Sequence, residues 1–120
     1  MTIRGFDHVQ LAMPAGEEGT AEAFYAGVLG LTRVPKPEPQ ASRGGCWFEA
    51  PGVALHLGVE ADFRPARKAH PALLVDDLDG LITRLEAAGH EVRTGDPIDG
   101  RVQRFCDDPF GNRIELVPAD

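Results

Sequence analysis

Arg104-Phe-Cys-Asp-Asp-Pro-Phe-Gly-Asn-Arg-Ile-Glu-Leu-Val117 reads as strand, turn, strand. Asp107-Asp108-Pro109-Phe110-Gly111-Asn112 carries the turn chemistry, because Pro presets φ while Gly and Asn tolerate a positive one. The flanking residues alternate. Ile114 and Leu116 share one face, and Arg113, Glu115 and Val117 share the other. Glu115 is therefore a carboxylate on a rigid strand, turned away from the apolar layer. A weaker copy lies upstream at Phe48-Glu-Ala-Pro51-Gly52-Val-Ala-Leu-His56-Leu-Gly-Val59. Pro-Gly makes that turn, and an alternating strand follows. His56 stands after Gly52 as Glu115 stands after Gly111. The chain reads as an internal duplication.

A chain of 120 residues, 42% of them hydrophobic, is one compact unit or two small halves sharing a core. The formal charge of −7 excludes a general nucleic-acid binder, which needs a basic face. No apolar run approaches the length of a membrane span, and the start reads directly into a strand pattern without a leader. Two cysteines, Cys46 and Cys106, are too few for a disulfide scaffold and suit reduced thiols in a cytoplasmic protein.

Each half follows one pattern. Phe6 to Met13 alternates as a strand, with Val9, Leu11 and Met13 on one face and Phe6, His8, Gln10 and Ala12 on the other. A helix capped by Thr20 is expected to run to about Leu29, with Gly30 closing it. Leu31–Val34 is a strand, Pro35 to Gly45 a proline-rich loop, and Cys46–Ala50 with Val53–Val59 a hairpin. The second half repeats the order: His70–Val75, a helix from Leu78 to about Ala88 capped by Asp77, His90–Arg93, and the final hairpin over 102–117. The fold class is α+β, two paired βαβββ modules in one domain over 1–120. The modules cover about 1–60 and 70–120, with a connector over 61–69. Neither half buries enough apolar area to fold alone.

The duplication also places chemistry. His8 and His70 lie on the first strands of the two halves; His56 and Glu115 lie on the last. All four face away from the aliphatic stripes and into a shared cleft. Three imidazoles and one carboxylate suit a divalent ion such as Zn, Ni, Co, Mn or Fe. Histidines that only complete a core have no reason to recur with a repeat. His90 has no counterpart in the first half and reads as a surface residue.

The chain resembles the vicinal oxygen chelate superfamily, the glyoxalase, bleomycin-resistance and dioxygenase group. The resemblance rests on Asp7-His8-Val9, Phe24-Tyr25, Leu29-Gly30-Leu31, Leu55-His56-Leu57, His70, Val75-Asp76-Asp77-Leu78, Ala88-Gly89 and Asp108-Pro109-Phe110-Gly111-Asn112 leading to Glu115-Leu116. It implies paired βαβββ modules around an open barrel-like cleft. It implies metal ligands at His8, His70 and Glu115, with His56 as a fourth ligand or a base beside the substrate. Glyoxalase-like members usually carry a carboxylate at the position of His56, and this chain departs from them there.

Two functions follow. One is a metal-dependent enzyme of lyase or isomerase type, acting on a small molecule with adjacent oxygens. His56 and Glu115 would be catalytic, and Arg104 and Trp47 would bind substrate. The alternative is a metal-free protein that traps an antibiotic or metabolite in the cleft, with Trp47 or Phe48 as a stacking surface. The short connector, stiffened by Pro65, favours a homodimer that pairs modules from two chains.

Overall fold

The computed structural model describes residues 2–119. It contains two four-stranded sheets. The first has the order β1-β4-β3-β2, from β1 (Val9–Met13), β2 (Thr32–Val34), β3 (Cys46–Ala50) and β4 (Val53–Val59). The second has the order β5-β8-β7-β6, from β5 (Ala72–Val75), β6 (Arg93–Thr94), β7 (Arg104–Asp107) and β8 (Arg113–Pro118). Within each sheet the first strand runs parallel to the last, and the hairpin is antiparallel. Helices α1 (Glu18–Tyr25) and α2 (Leu78–Ala87) supply the crossovers. The two βαβββ modules expected from the sequence are present.

Alternation decides what each sheet face does. Leu55 and Leu57 bracket His56 on β4, and Ile114 and Leu116 bracket Glu115 on β8. All four leucine and isoleucine side chains are fully buried. They join Met13, Phe48 and Cys106, together with Phe24, Tyr25, Leu81 and Leu85 from the helices, in a single apolar cluster. The helix-covered faces of both sheets thus share one core, and the polar faces are turned away from it.

α1 ends earlier than its pattern suggests. Thr20 donates its hydroxyl to Glu17 instead of capping, and the Glu17 carbonyl receives Ala21 N–H. Glu17 therefore stands at the N-cap. Beyond Tyr25 the turn widens: Gly27 N–H reaches Glu22 and Leu29 N–H reaches Phe24, each five residues back. Gly30, at φ 84°, still closes the segment. α2 begins as expected, with Asp77 accepting Gly80 N–H at 3.0 Å. It ends with His90 N–H on the Leu85 carbonyl and Gly89 at φ 87°, a Schellman arrangement. β6 lies later than expected, at Arg93–Thr94. His90 is partly buried, edge-on to Phe24 with ring centroids 4.9 Å apart, and is not the surface residue that the sequence suggests.

A buried polar cluster ties the modules together. Tyr25 Oη donates to Asp108 Oδ2 at 2.7 Å. Asn112 Nδ2 donates to the same oxygen and to the Ala12 carbonyl of β1, and its Oδ1 accepts Ala66 N–H. The connector is docked by that last bond and by Arg113 N–H on the Ala66 carbonyl. The long loop between β2 and β3 carries one 3₁₀ turn, Gln40–Arg43. Lys36 Nζ binds the Gly44 carbonyl at one end of the loop. Glu18 accepts Gly45 N–H at 2.8 Å, which draws its carboxyl below the usual range.

Candidate active site in two half-sites

The polar face of the first sheet carries a stack of three rings. Trp47 lies 4.0 Å from His56 with an interplanar angle of 6°, and His8 covers the other face of His56 at 4.3 Å and 19°. Trp47 is directly opposite His56 across the β3–β4 pair, which explains the contact. His56 is only 8% exposed and makes no hydrogen bond among the described residues. Burial, then the neighbouring His8, pushes its pKa below 6.5. His56 is thus held neutral and free to accept a proton. His8 is more open, with its Nδ1 on Asp7 at 2.8 Å. Gln10, Gln40, Glu49 and Ala54 complete the walls of a pocket of about 600 Å³ around these rings.

The polar face of the second sheet carries the carboxylate. Glu115 is 7% exposed. Its Oε1 meets His70 Nε2 at 2.9 Å, and its Oε2 accepts Gln103 Nε2 at 2.5 Å. His70 Nδ1 faces the Lys68 carbonyl at 2.8 Å. The Lys68 carbonyl and the Glu115 carboxylate both accept, so each ring nitrogen faces an acceptor, and Nε2 is the one turned toward Glu115. Phe105 lies across from Glu115 and meets the His70 ring edge-on at 5.6 Å.

The two half-sites correspond position by position. Gln10 pairs with His56 as Ala72 pairs with Glu115, and His8 and His70 each stand two residues earlier. Trp47 opposes His56 as Phe105 opposes Glu115. The structure brings His8 to His56 and His70 to Glu115. Among the described residues, no three potential ligands gather closely enough within one chain to hold a metal ion. The expected convergence of all four is therefore absent from a single chain. Their donor chemistry fits a divalent ion, with Nε2 of His70 and both oxygens of Glu115 already facing polar partners.

Trp47 faces the site and Phe48 the core. Arg104 lies on the other face. It is opposite the buried Leu116 and shares its side of β7 with the fully buried Cys106, which is the helix-covered side and not the one where a substrate was expected to meet it. Two cations lie on the polar face: Arg93, across from Phe105 and bound to Asp107, and Arg113, two residues before Glu115 on the same strand. Gln103 and Phe105 also belong to this face. Strand alternation counted back from Glu115 picks out Arg113, and pairing across the hairpin picks out Phe105.

Among curated proteins none matches the chain. A protein assigned to the glyoxalase family from Bacillus anthracis is 42% identical, with a TM-score of 0.94, over 100% of this chain and 98% of that one. Lactoylglutathione lyase from Agrobacterium tumefaciens is 25% identical, with a TM-score of 0.70, over 98% and 96%. The fosfomycin resistance protein FosX from Listeria monocytogenes shares the fold at 16% identity and a TM-score of 0.76, over 99% and 96%. The family model described as Glyoxalase/Bleomycin resistance protein/Dioxygenase superfamily matches residues 5–116. The chain belongs to that superfamily.

Proposed function

We propose that this protein is a divalent-metal-dependent enzyme of lyase or isomerase type, built as a homodimer whose sites each take one half from each chain. The observation that carries the reading is the matched register of the two half-sites, His8 with His56 and His70 with Glu115, which among the described residues bring no three potential ligands together within one chain. The merged core turns both polar faces outward, where a second copy can complete them. The edges of β1 and β5 are unpaired and flank a groove of about 940 Å³, with Phe6 and Leu74 largely exposed beside it. Such edges seek a partner. Two buried free thiols, Cys46 and Cys106, fit a reducing compartment such as the cytoplasm.

A bound divalent ion would supply Lewis acidity toward adjacent oxygens of a small molecule. His8, His70 and Glu115 would hold it, with the Lys68 carbonyl facing His70 Nδ1 and Gln103 orienting Glu115. His56 would complete the shell or move a proton, since its neutral ring has no hydrogen-bond partner among the described residues. Trp47 walls the site beside it.

Mixing separates the arrangements. The His8→Ala and Glu115→Ala proteins are unfolded and refolded together in equal amounts, and tight binding of Zn, Ni or Co is measured. If sites are shared between chains, one site of each heterodimer collects both lesions and the other none. Random pairing then restores about a quarter of all sites. No restoration, with heterodimers shown to be present, rules the shared site out. A wild-type dimer that carries no ion and takes up none leaves the cleft as a metal-free trap for an antibiotic or metabolite.

A further inference from the structure

We infer that Arg113 reads a carboxylate on the substrate, so that the cleft selects small anionic molecules. This rests on the reading of the cleft as a small-molecule site, and it adds the chemical class of the molecule.

The first observation is the face. Arg113 and Glu115 alternate along β8 on its polar side, so their side chains leave the sheet about 7 Å apart. The second is support. The Arg113 guanidinium lies 5.6 Å over the ring of Phe105, the residue that also backs His70. An aromatic platform orients the planar group and leaves its N–H edge open. The third is the state of the neighbouring acids. Asp107 is directly across the hairpin from Arg113, the usual place for a cross-strand ion pair. Its carboxylate is instead taken by Arg93, with contacts of 2.9 Å and 3.4 Å to its two oxygens. Glu115 is the next nearest acid along the strand, and His70 and Gln103 occupy its oxygens. Arg113 forms no ion pair among the described residues.

A partly buried guanidinium whose two adjacent carboxylates are both engaged elsewhere is an anion receptor. The repeat sharpens this. Ala54 holds the same place two residues before His56 that Arg113 holds before Glu115. One half-site therefore offers room and the other a cation. The ligand is anionic at one end, where it meets Arg113. Its other end reaches the His70–Glu115 pair one strand repeat away.

The probes are catechol and 3,4-dihydroxybenzoate. They share adjacent hydroxyls and differ by one carboxylate across the ring. Affinities are measured by calorimetry on metal-loaded and on metal-stripped wild type, Arg113→Gln and Arg113→Lys. The wild type should prefer the carboxylated probe. Arg113→Gln should lower that preference about tenfold or more, with catechol binding unchanged, and Arg113→Lys should restore part of it. Loss of catechol binding on metal removal tests the metal separately. The carboxylate preference is read in both forms, so failure of the metal reading does not mask it. An equal preference in wild type and Arg113→Gln, or no preference or binding in the wild type, overturns the inference.

Discussion

Tyr25 Oη and Asp108 Oδ2 lie 2.7 Å apart, although 83 positions separate them in the chain. The bond joins the end of the first helix to the turn before the last strand, and both residues are buried. Asp108 also accepts the backbone N–H groups of Phe110 and Asn112 and the Asn112 amide. Tyr25→Phe removes one donor and should cost about 2 kcal/mol, the range for a hydrogen bond to a charged group. Asp108→Ala strands several buried donors at once and should cost more than about 3 kcal/mol. Urea unfolding of both variants checks the order. Equal losses would mean that Tyr25, and not the turn, holds Asp108 in place.

Alkali should unfold this protein from the same region. Burial, then Asp108, pushes the Tyr25 hydroxyl well above its ordinary 10.0. Burial pushes the Cys106 thiol from 9.0 up to about 12. Both groups hold their protons in the folded state at a pH where the unfolded chain releases them. Stability is therefore full below about pH 9 and falls as pH rises. Tyr25→Phe and Cys106→Ala should each flatten that slope in chemical-denaturation curves taken from pH 8 to 11. An unchanged slope in both would place the alkaline sensitivity elsewhere.

In acid the sign comes from His56. Its folded pKa lies below 6.5, so the unfolded chain takes up the proton first. The stabilisation is present above pH 6.5 and declines as pH falls through the lowered folded value. Trp47 is the only tryptophan, and it lies flat on this ring. An imidazolium quenches a stacked indole, so emission should fall on acidification with a midpoint below 6.5. His56→Ala should abolish the step and cost about 1 kcal/mol from the lost stack. A step that persists in His56→Ala would assign the quenching to another group.

Gln103→Ala should weaken metal affinity about 10- to 100-fold on the proposed reading, because it frees Glu115 Oε2 from its donor. Competition with a colorimetric chelator measures this. Thermal stability of the metal-free variant should stay close to wild type. A large loss of stability with unchanged affinity would make Gln103 a structural residue.

The repeat, both hairpins and the Asp77 cap were legible because turn residues and alternation are local signals. The same alternation placed Glu115 and His56 on the polar faces, but left Trp47 and Phe48 as alternatives, which the pairing of Trp47 with His56 decides. Arg104 shows where local reading stops. It alternates correctly with Phe105, but the side of β7 that meets the helices is fixed by Leu116 and Ile114 on the neighbouring strand. Thr20 was eligible as a cap by type, yet Glu17 claimed its hydroxyl. The contacts that tie the two modules together, Tyr25 with Asp108 and Asn112 with the Ala12 carbonyl, join residues far apart in sequence and leave no periodic trace.

The loop from Pro35 to Gly45 is fastened at both ends, by Lys36 to the Gly44 carbonyl and by Glu18 to Gly45 N–H. Gly45 cannot be exchanged, since a Cβ there would sit 2.1 Å from the Leu57 carbonyl oxygen and its φ is +84°. Gln40, between these fastenings, reaches the wall of the His56 pocket. The scaffold thus treats this stretch as a cassette. Residues from Pro37 to Arg43 lie outside β3 and β4 and, Gln40 apart, are exposed, which makes them the place to graft libraries when the pocket is to accept a different molecule.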